Sequence, residues 1–267
     1  QKTIFEILKR SFKCYNIDEK TQLCFSDEEK YTVDWGFCDT IKKTGLLLFP
    51  SILRYNSAIL IKEFSEKLRK DGEFYYKIAL KIKENIIKYF WDGSGWLLSA
   101  TGICRQHDVV GTLFAIYSGI IEGEFLKKSL IKVKEGYLKS TCVDEEGYVR
   151  FIPKGEDFST KTCWEKGLTK IGEYQNGGYW AFATGWYIYS LSKINKKLAM
   201  EMAEKFIDHI LKKRNKGAPY EWQNLESGKY SGCFYAASIT LPLKFIKLLI
   251  NKDLQPAKKI DREKRIL

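Results

Sequence analysis

Histidine occurs only twice in 267 residues, proline five times, and Cys-x-x-Cys not at all. With His107 and His209 as the sole imidazoles and the cysteines scattered, a structural zinc site has no clustered ligands, and none is expected. The chain has no Gly-x-Gly-x-x-Gly and no Walker loop, so nucleotide binding has no support and no cofactor is expected. No apolar stretch approaches the ~18 residues of a membrane span. Residues 1–10 read as the start of an amphipathic helix rather than an apolar leader. His107 adjoins Asp108 but has no Ser or Cys nucleophile signature beside it, which argues against a hydrolase triad.

Aromatic residues, by contrast, make up 15% of the chain and collect near glycine-rich turns. Seven cysteines, an odd number at irregular spacing, read as free thiols in a reducing compartment, hence a cytoplasmic protein. The net charge of +12 invites a nucleic-acid reading. The lysines, however, follow the polar faces of helices, and the basic run lies in a tail over 253–267. Solvated helix faces explain that pattern, so neither nucleic acid nor membrane is expected as partner. The first residue is Gln rather than Met, as in a processed form or a fragment.

Hydrophobic periodicity is helical. Leu198, Ala199, Met202, Ala203, Phe206, Ile207, Ile210 and Leu211 keep the i, i+3, i+4 rule, as do Phe74, Ile78, Ile82, Ile86 and Phe90. Each amphipathic helix follows a more uniformly apolar one: 46–69 before 73–91, 109–121 before 124–140, 178–194 before 196–214, with another apolar helix over 233–250. Short connections make the members of each pair antiparallel neighbours. The apolar helices are expected to be buried all round and the amphipathic ones to face solvent on one side. This predicts one all-α domain over 1–267, an α/α toroid of helical hairpins without sequence identity between hairpins. Short strands are expected in the loops, at 96–99 and 148–151.

Polar groups gather where long loops enter apolar helices. Tyr174-Gln175-Asn176-Gly177-Gly178-Tyr179-Trp180 places planar amide donors and acceptors beside two glycines and flat rings. Sugars present hydroxyl edges and C–H faces, so this mixture suits a carbohydrate; a helix cap at Asn176 with core aromatics is the plain alternative. Asp34-Trp35 with Asp39, Gln106 with Asp108, and Tyr220-Glu221-Trp222 set further carboxylates beside aromatic or amide groups. Glycoside hydrolysis needs two carboxylates, and an apolar setting raises the pKa of the one that acts as acid. Asp34, Asp39 and Asp108 also read as helix caps. Glu221, after Pro219 and between two aromatics, lies in no evident helix.

Taken in order, these segments resemble the six-hairpin glycosidase clan, the trehalase-like and glucosidase-like glycoside hydrolases. Asp34-Trp35-Gly36-x-x-Asp39 resembles the clan's Asp-Trp-x-Asp region. Gln106-x-Asp108-Val109-Val110-Gly111-Thr112 runs into an apolar helix as it does there. Tyr174-x-Asn176-Gly177-Gly178-x-Trp180 and Glu221-Trp222-x-Asn224-x-x-x-Gly228 are similar to its later segments. The resemblance implies an (α/α)6 barrel, here incomplete because fewer than twelve helices are expected, with a hairpin missing or preceding Gln1. It implies an inverting two-carboxylate site, with Glu221 as general base and Asp34 as acid, Asp39 in reserve. Trp35, Gln106, Asp108, Tyr174, Gln175, Asn176, Trp180 and Trp222 would bind an oligosaccharide or disaccharide. The clan's Glu-x-Gly-Trp-Asp around the acid is absent. Two other functions fit the same frame: a non-catalytic carbohydrate-binding toroid, and an unsaturated-uronide hydrolase or lyase acting on acidic sugars, for which Arg105 is the loop cation.

Overall fold

The computed structural model describes residues 3–27, 40–156 and 170–251. Among them are eight α-helices: α1 Ile4–Ser11, α2 Leu48–Lys67, α3 Glu73–Phe90, α4 Val109–Tyr117, α5 Gly123–Leu138, α6 Thr184–Ile194, α7 Lys196–Lys213 and α8 Ala237–Ile250. Eight strands of two or three residues lie in the connections: β1 Phe25–Ser26, β2 Gly45–Leu46, β3 Leu97–Leu98, β4 His107–Asp108, β5 Val149–Arg150, β6 Tyr179–Trp180, β7 Trp222–Asn224 and β8 Lys229–Ser231. The chain groups into two compact units: residues 1–111 with 150–178, and residues 112–149 with 179–267.

In the first unit α2 and α3 form an antiparallel hairpin whose turn is closed by Asp71, which accepts from Glu73 N at 2.8 Å. Helix α3 buries Tyr75, Ala79, Ile82, Ile86 and Phe90, one stripe at helical spacing. Helix α2 departs from the expectation of burial all round: Leu53, Leu60 and Phe64 remain exposed on its far face. Its apolar residues encircle it, whereas α3 covers one side. Below these helices β1 pairs with β2 and β3 with β4, both antiparallel. Ile41, Leu47, Ala100, Cys104 and Ile152 form a buried cluster there.

In the second unit α6 is the central element, packed on α5, α7 and α8. Residues Thr184 to Leu191 are all buried, so α6 is the inner helix expected. The buried Tyr187 hydroxyl donates to Val133 O at 2.7 Å and ties α6 to α5. Asn195 alone connects α6 to α7, and its side chain caps α7 by accepting from Leu198 N. Helix α7 buries Ala199, Met202, Ala203, Phe206 and His209. The expected start of α6 at Gly178 is corrected to Thr184. Tyr179 and Trp180 are extended instead, because β6 pairs antiparallel with β7, which pairs with β8.

A repeat at sequence level, not expected from the sequence, follows α3 and α5. Asp92-Gly-Ser-Gly95-Trp96-Leu97 and Asp144-Glu-Glu-Gly147-Tyr148-Val149 share the pattern Asp-x-x-Gly-aromatic-aliphatic. In both, the Asp Oδ1 accepts from the backbone N two residues on, Ser94 at 2.9 Å and Glu146 at 3.0 Å. In both, the glycine is left-handed, φ 101° at Gly95 and 86° at Gly147. In both, the residue before the Asp bridges to the aliphatic one: Trp91 to Leu97, Val143 to Val149.

Candidate carbohydrate site and its supports

The carboxylates Asp34 and Asp39, with Trp35, lie outside the described residues. The other proposed site residues fall in both units.

In the first unit, residues 172–178 fold back on themselves. Gly172 N donates to Asn176 O, Asn176 N to Glu173 O and Gly178 N to Tyr174 O. Tyr174 takes a left-handed conformation, φ 44°, uncommon for a residue with a side chain. Gln175 is fully buried, and its Oε1 accepts from Thr40 N at 2.9 Å and Thr40 Oγ1 at 2.7 Å. Gln175 therefore fastens this turn to the residue that follows the 28–39 segment. Asn176 is buried within the turn. Beneath it the buried Arg150 donates from Nε to Gly177 O at 2.9 Å. Asp108 immediately precedes α4 and accepts from Gly111 N at 2.6 Å, which is the helix-cap geometry. A side chain at Gly111 would collide with that carboxylate and with Leu48. Gln106 is half-buried, and its Oε1 has no hydrogen-bond partner among the described residues.

His107 has partners the sequence did not disclose. Its Nδ1 is 2.6 Å from Glu156 Oε1, and its Nε2 is 2.8 Å from Asp92 Oδ2 and 3.0 Å from Ser94 Oγ. A serine does stand beside it, then, although the spacing in sequence hid it. The hydrogen bond it makes to Glu156, helped by Asp92, holds the His107 pKa above its ordinary value. With each ring nitrogen facing a carboxylate, His107 is held by acids on both sides. The cluster is an ionic clamp between loops and not a nucleophile–base pair.

In the second unit, Glu221 stands half-buried at the head of β7. Its backbone N donates to Ser231 O and Gly232 O, both at 2.9 Å. A side chain at Gly232 would strike that of Glu221, so glycine there leaves the carboxylate its room. Trp222 lies opposite Trp180 in the ladder. Trp180 is fully enclosed, edge-on to Phe182 with ring centroids 5.9 Å apart, and so presents no face to a ligand in this structure. Asn224 shapes the β7–β8 turn by accepting from Glu226 N and Ser227 N.

Both flanks of Glu221-Trp222 are tied to the hairpin that carries Asp144, Glu146 and Tyr148. Tyr220 N donates to Tyr148 Oη at 3.2 Å, and Gln223 Nε2 donates to Asp144 Oδ2 at 2.8 Å and Glu146 Oε2 at 2.9 Å. Tyr148 Oη also meets His209 Nε2 at 3.2 Å. Burial holds the Tyr148 pKa well above the ordinary value, so it keeps its proton. His209 Nδ1 stands 2.8 Å from Glu146 Oε2 but too oblique for a directed hydrogen bond. Burial pushes the Asp144 carboxyl up to about 6 against its bonds from Gln223 and the backbone. For Glu146 burial acts the same way but is overcome. The close approach of His209 and the hydrogen bonds from Lys213 and Gln223 bring it down to about 2. Sequence reasoning missed this group. Its signal is the Asp-x-x-Gly repeat.

No protein-family model matches the chain, and no curated protein does. Among solved structures it is similar in fold to an uncharacterized conserved protein from Thermus thermophilus, with TM-score 0.51 and 10% identity over 74% of this chain and 48% of that one. It is similar also to the GH63 mannosylglycerate hydrolase of the same organism, solved with glucose, with TM-score 0.50 and 10% identity over 74% of this chain and 45% of that one. The chain thus spans less than half the length of these structures. The likeness is one of fold: mostly helical, built of hairpins with short strands between, the α/α-toroid class that the sequence leads one to expect. The fold is glycosidase-like.

Proposed function

We propose that the protein is a glycoside hydrolase acting on an oligosaccharide or disaccharide with inversion. A glycosidase-like fold carries this reading, with Glu221 at the head of β7 as the residue of the fourth resembling segment. Glu221 takes a proton from water as it attacks the anomeric carbon, and Asp34 protonates the leaving oxygen, with Asp39 as reserve acid. Tyr174, with Gln106, Trp35 and Trp222, supplies sugar contacts, and Gln175 and Asn176 hold the turn that presents Tyr174. Asp108 sets the start of α4 and Trp180 backs Trp222. Seven cysteines, odd in number and scattered in sequence, suit a cytoplasmic enzyme.

The test is turnover of a panel of aryl glycosides and disaccharides, with the anomer of the first product followed by proton NMR. Glu221→Gln should lose about a hundredfold or more of turnover while remaining folded. Asp34→Asn should do the same. If Asp39→Asn is the inactive one instead, the acid moves and the reaction stands. A protein that binds sugars, turns none over and keeps its affinity in Glu221→Gln is the non-catalytic toroid.

A further inference from the structure

Arg54, midway along α2, is buried to 9% exposure. Its Nη1 donates to Phe12 O at 2.7 Å, its Nε to Gln22 O at 3.3 Å and its Nη2 to Gln22 Oε1 at 3.2 Å. The guanidinium lies 3.9 Å over the Phe12 ring. All these partners are neutral. Carbonyl oxygens satisfy N–H groups without cancelling a charge, and a buried charge without a counter-charge is costly. The carbonyl end of α1, where Phe12 caps the helix, offsets part of it. Burial accordingly pushes the Arg54 pKa down.

A guanidinium carries five N–H donors. Three are used here, which leaves one on each terminal nitrogen uncommitted among the described residues. Two clefts meet at this group. The smaller, about 210 Å³, is lined by Arg54 with Tyr15, Cys24 and Pro50. The larger, about 630 Å³, is lined by Arg54 with Lys13, Tyr15, Glu19, Phe25 and Phe74, so two cations face one carboxylate between aromatic walls. That volume suits a small molecule. The acceptor Gln22 sits at φ 63°, held by its own N–H to Asp18 O at 2.7 Å. The loop keeps Gln22 in a conformation that few residues with side chains adopt, and so sets the guanidinium in place beforehand.

We propose that the cleft around Arg54 binds a small organic anion, a carboxylate or phosphate head on an aromatic or apolar body. The head takes the two open N–H groups of Arg54 in a forked contact, with Lys13 adding a second positive charge. The body lies against Tyr15, Phe25 and Phe74. None of these residues belongs to the carbohydrate reading, so the two proposals stand or fall separately.

Titration calorimetry at fixed ionic strength tests it with benzoate, phenyl phosphate, inorganic phosphate and the neutral benzyl alcohol. Benzoate or phenyl phosphate should bind with Kd below about 1 mM, and the tighter of the two identifies the head. Arg54→Gln should weaken that binding roughly tenfold or more, and Lys13→Gln more modestly. Since Arg54 also ties α1 to α2, Tyr15→Ala supplies a variant that leaves this tie intact, and it too should weaken binding. Absence of binding by both organic anions overturns the proposal. So does binding indifferent to Lys13 and Tyr15, or benzyl alcohol binding as well as benzoate. Inorganic phosphate binding as tightly as phenyl phosphate overturns the organic body.

Discussion

Single residues around Glu221 show what a sequence reveals of chemistry and what it hides. Glu221 lies outside any helix, as its place after Pro219 and between Tyr220 and Trp222 led one to expect. Asp108 had two readings in the sequence, and the cap is the one the structure displays, with Gly111 N on its oxygen. Asp144 and Glu146 were marked only by the Asp-x-x-Gly repeat, and nothing local tied them to His209, because their meeting joins a loop to a helix far along the chain. That group makes two predictions. Tyr148→Phe removes the acceptor of Tyr220 N and the polar contact with His209 in one step. It should cost about 1–3 kcal/mol in chemical denaturation. Hydrogen exchange should show the Tyr220 amide newly exposed, and an amide still protected would mean that Tyr148 does not anchor it. The second concerns pH. The Asp144 pKa is raised, to about 6 from 3.8, so the folded state binds this proton more tightly than the unfolded one. Its destabilising contribution is full above about 6 and relieved as pH falls toward 3.8. The Glu146 pKa is lowered, to about 2 from 4.5, so its stabilising contribution is full above 4.5 and lost as pH falls through about 2. Melting curves between pH 4 and 7 should therefore show Asp144→Asn lacking a gain on acidification that the parent shows. Equal slopes would remove Asp144 from the account.

At the scale of elements, helices were read well wherever one face alternates at helical spacing. Helices α3 and α7 lie within a residue or two of the spans expected for them. The start of α6 was misread because Tyr179 and Trp180 join a ladder with β7, a pairing that local periodicity does not encode. The β7–β8 hairpin was missed for the same reason. The hairpins after α3 and α5 carry their signature openly, and so do the helices before them: Gly72-Glu73-Phe74 and Lys81-Ile82-Lys83-Glu84 answer to Gly123-Glu124-Phe125 and Lys132-Val133-Lys134-Glu135, a repeat that reading for periodicity passed over. The glycine that the two hairpins share makes a prediction. At Gly147, φ 86°, a methyl group would meet strain from the backbone and stand 3.3 Å from Met202 O and Phe206 Cβ. Gly147→Ala should cost about 1–3 kcal/mol by denaturant titration. At Gly95 the same left-handed φ applies, so Gly95→Ala should also destabilise. A neutral effect at both would show that the turn has another conformation open to it.

Over the whole molecule, composition was a good guide to class and a poor one to site. The net charge of +12 reflects lysines on exposed helix faces, several paired at helical spacing with carboxylates, as Lys205 is with Glu201 at 2.9 Å and Lys212 with Asp208 at 3.1 Å. Such pairs are worth little individually. The cysteines say more. Of the seven, the five described are free thiols: Cys14 and Cys233 exposed, Cys24, Cys104 and Cys142 buried. A buried thiol reacts only when its surroundings open, so the slow alkylation of these three reports opening of the protein around them. Cys24 and Cys104 sample the first unit and Cys142 the second. Short alkylation followed by peptide mass analysis should find Cys14 and Cys233 modified at once. Cys24, Cys104 and Cys142 should follow only in denaturant, with Cys104 further held by its bond to Lys42 O at 3.1 Å. The unreduced, unfolded chain should take up seven equivalents of reagent. A deficit of two would reveal a disulfide and remove the ground for a reducing compartment. Rapid native labelling of Cys24 or Cys142 would show that the packing around that residue opens far more readily than its burial implies.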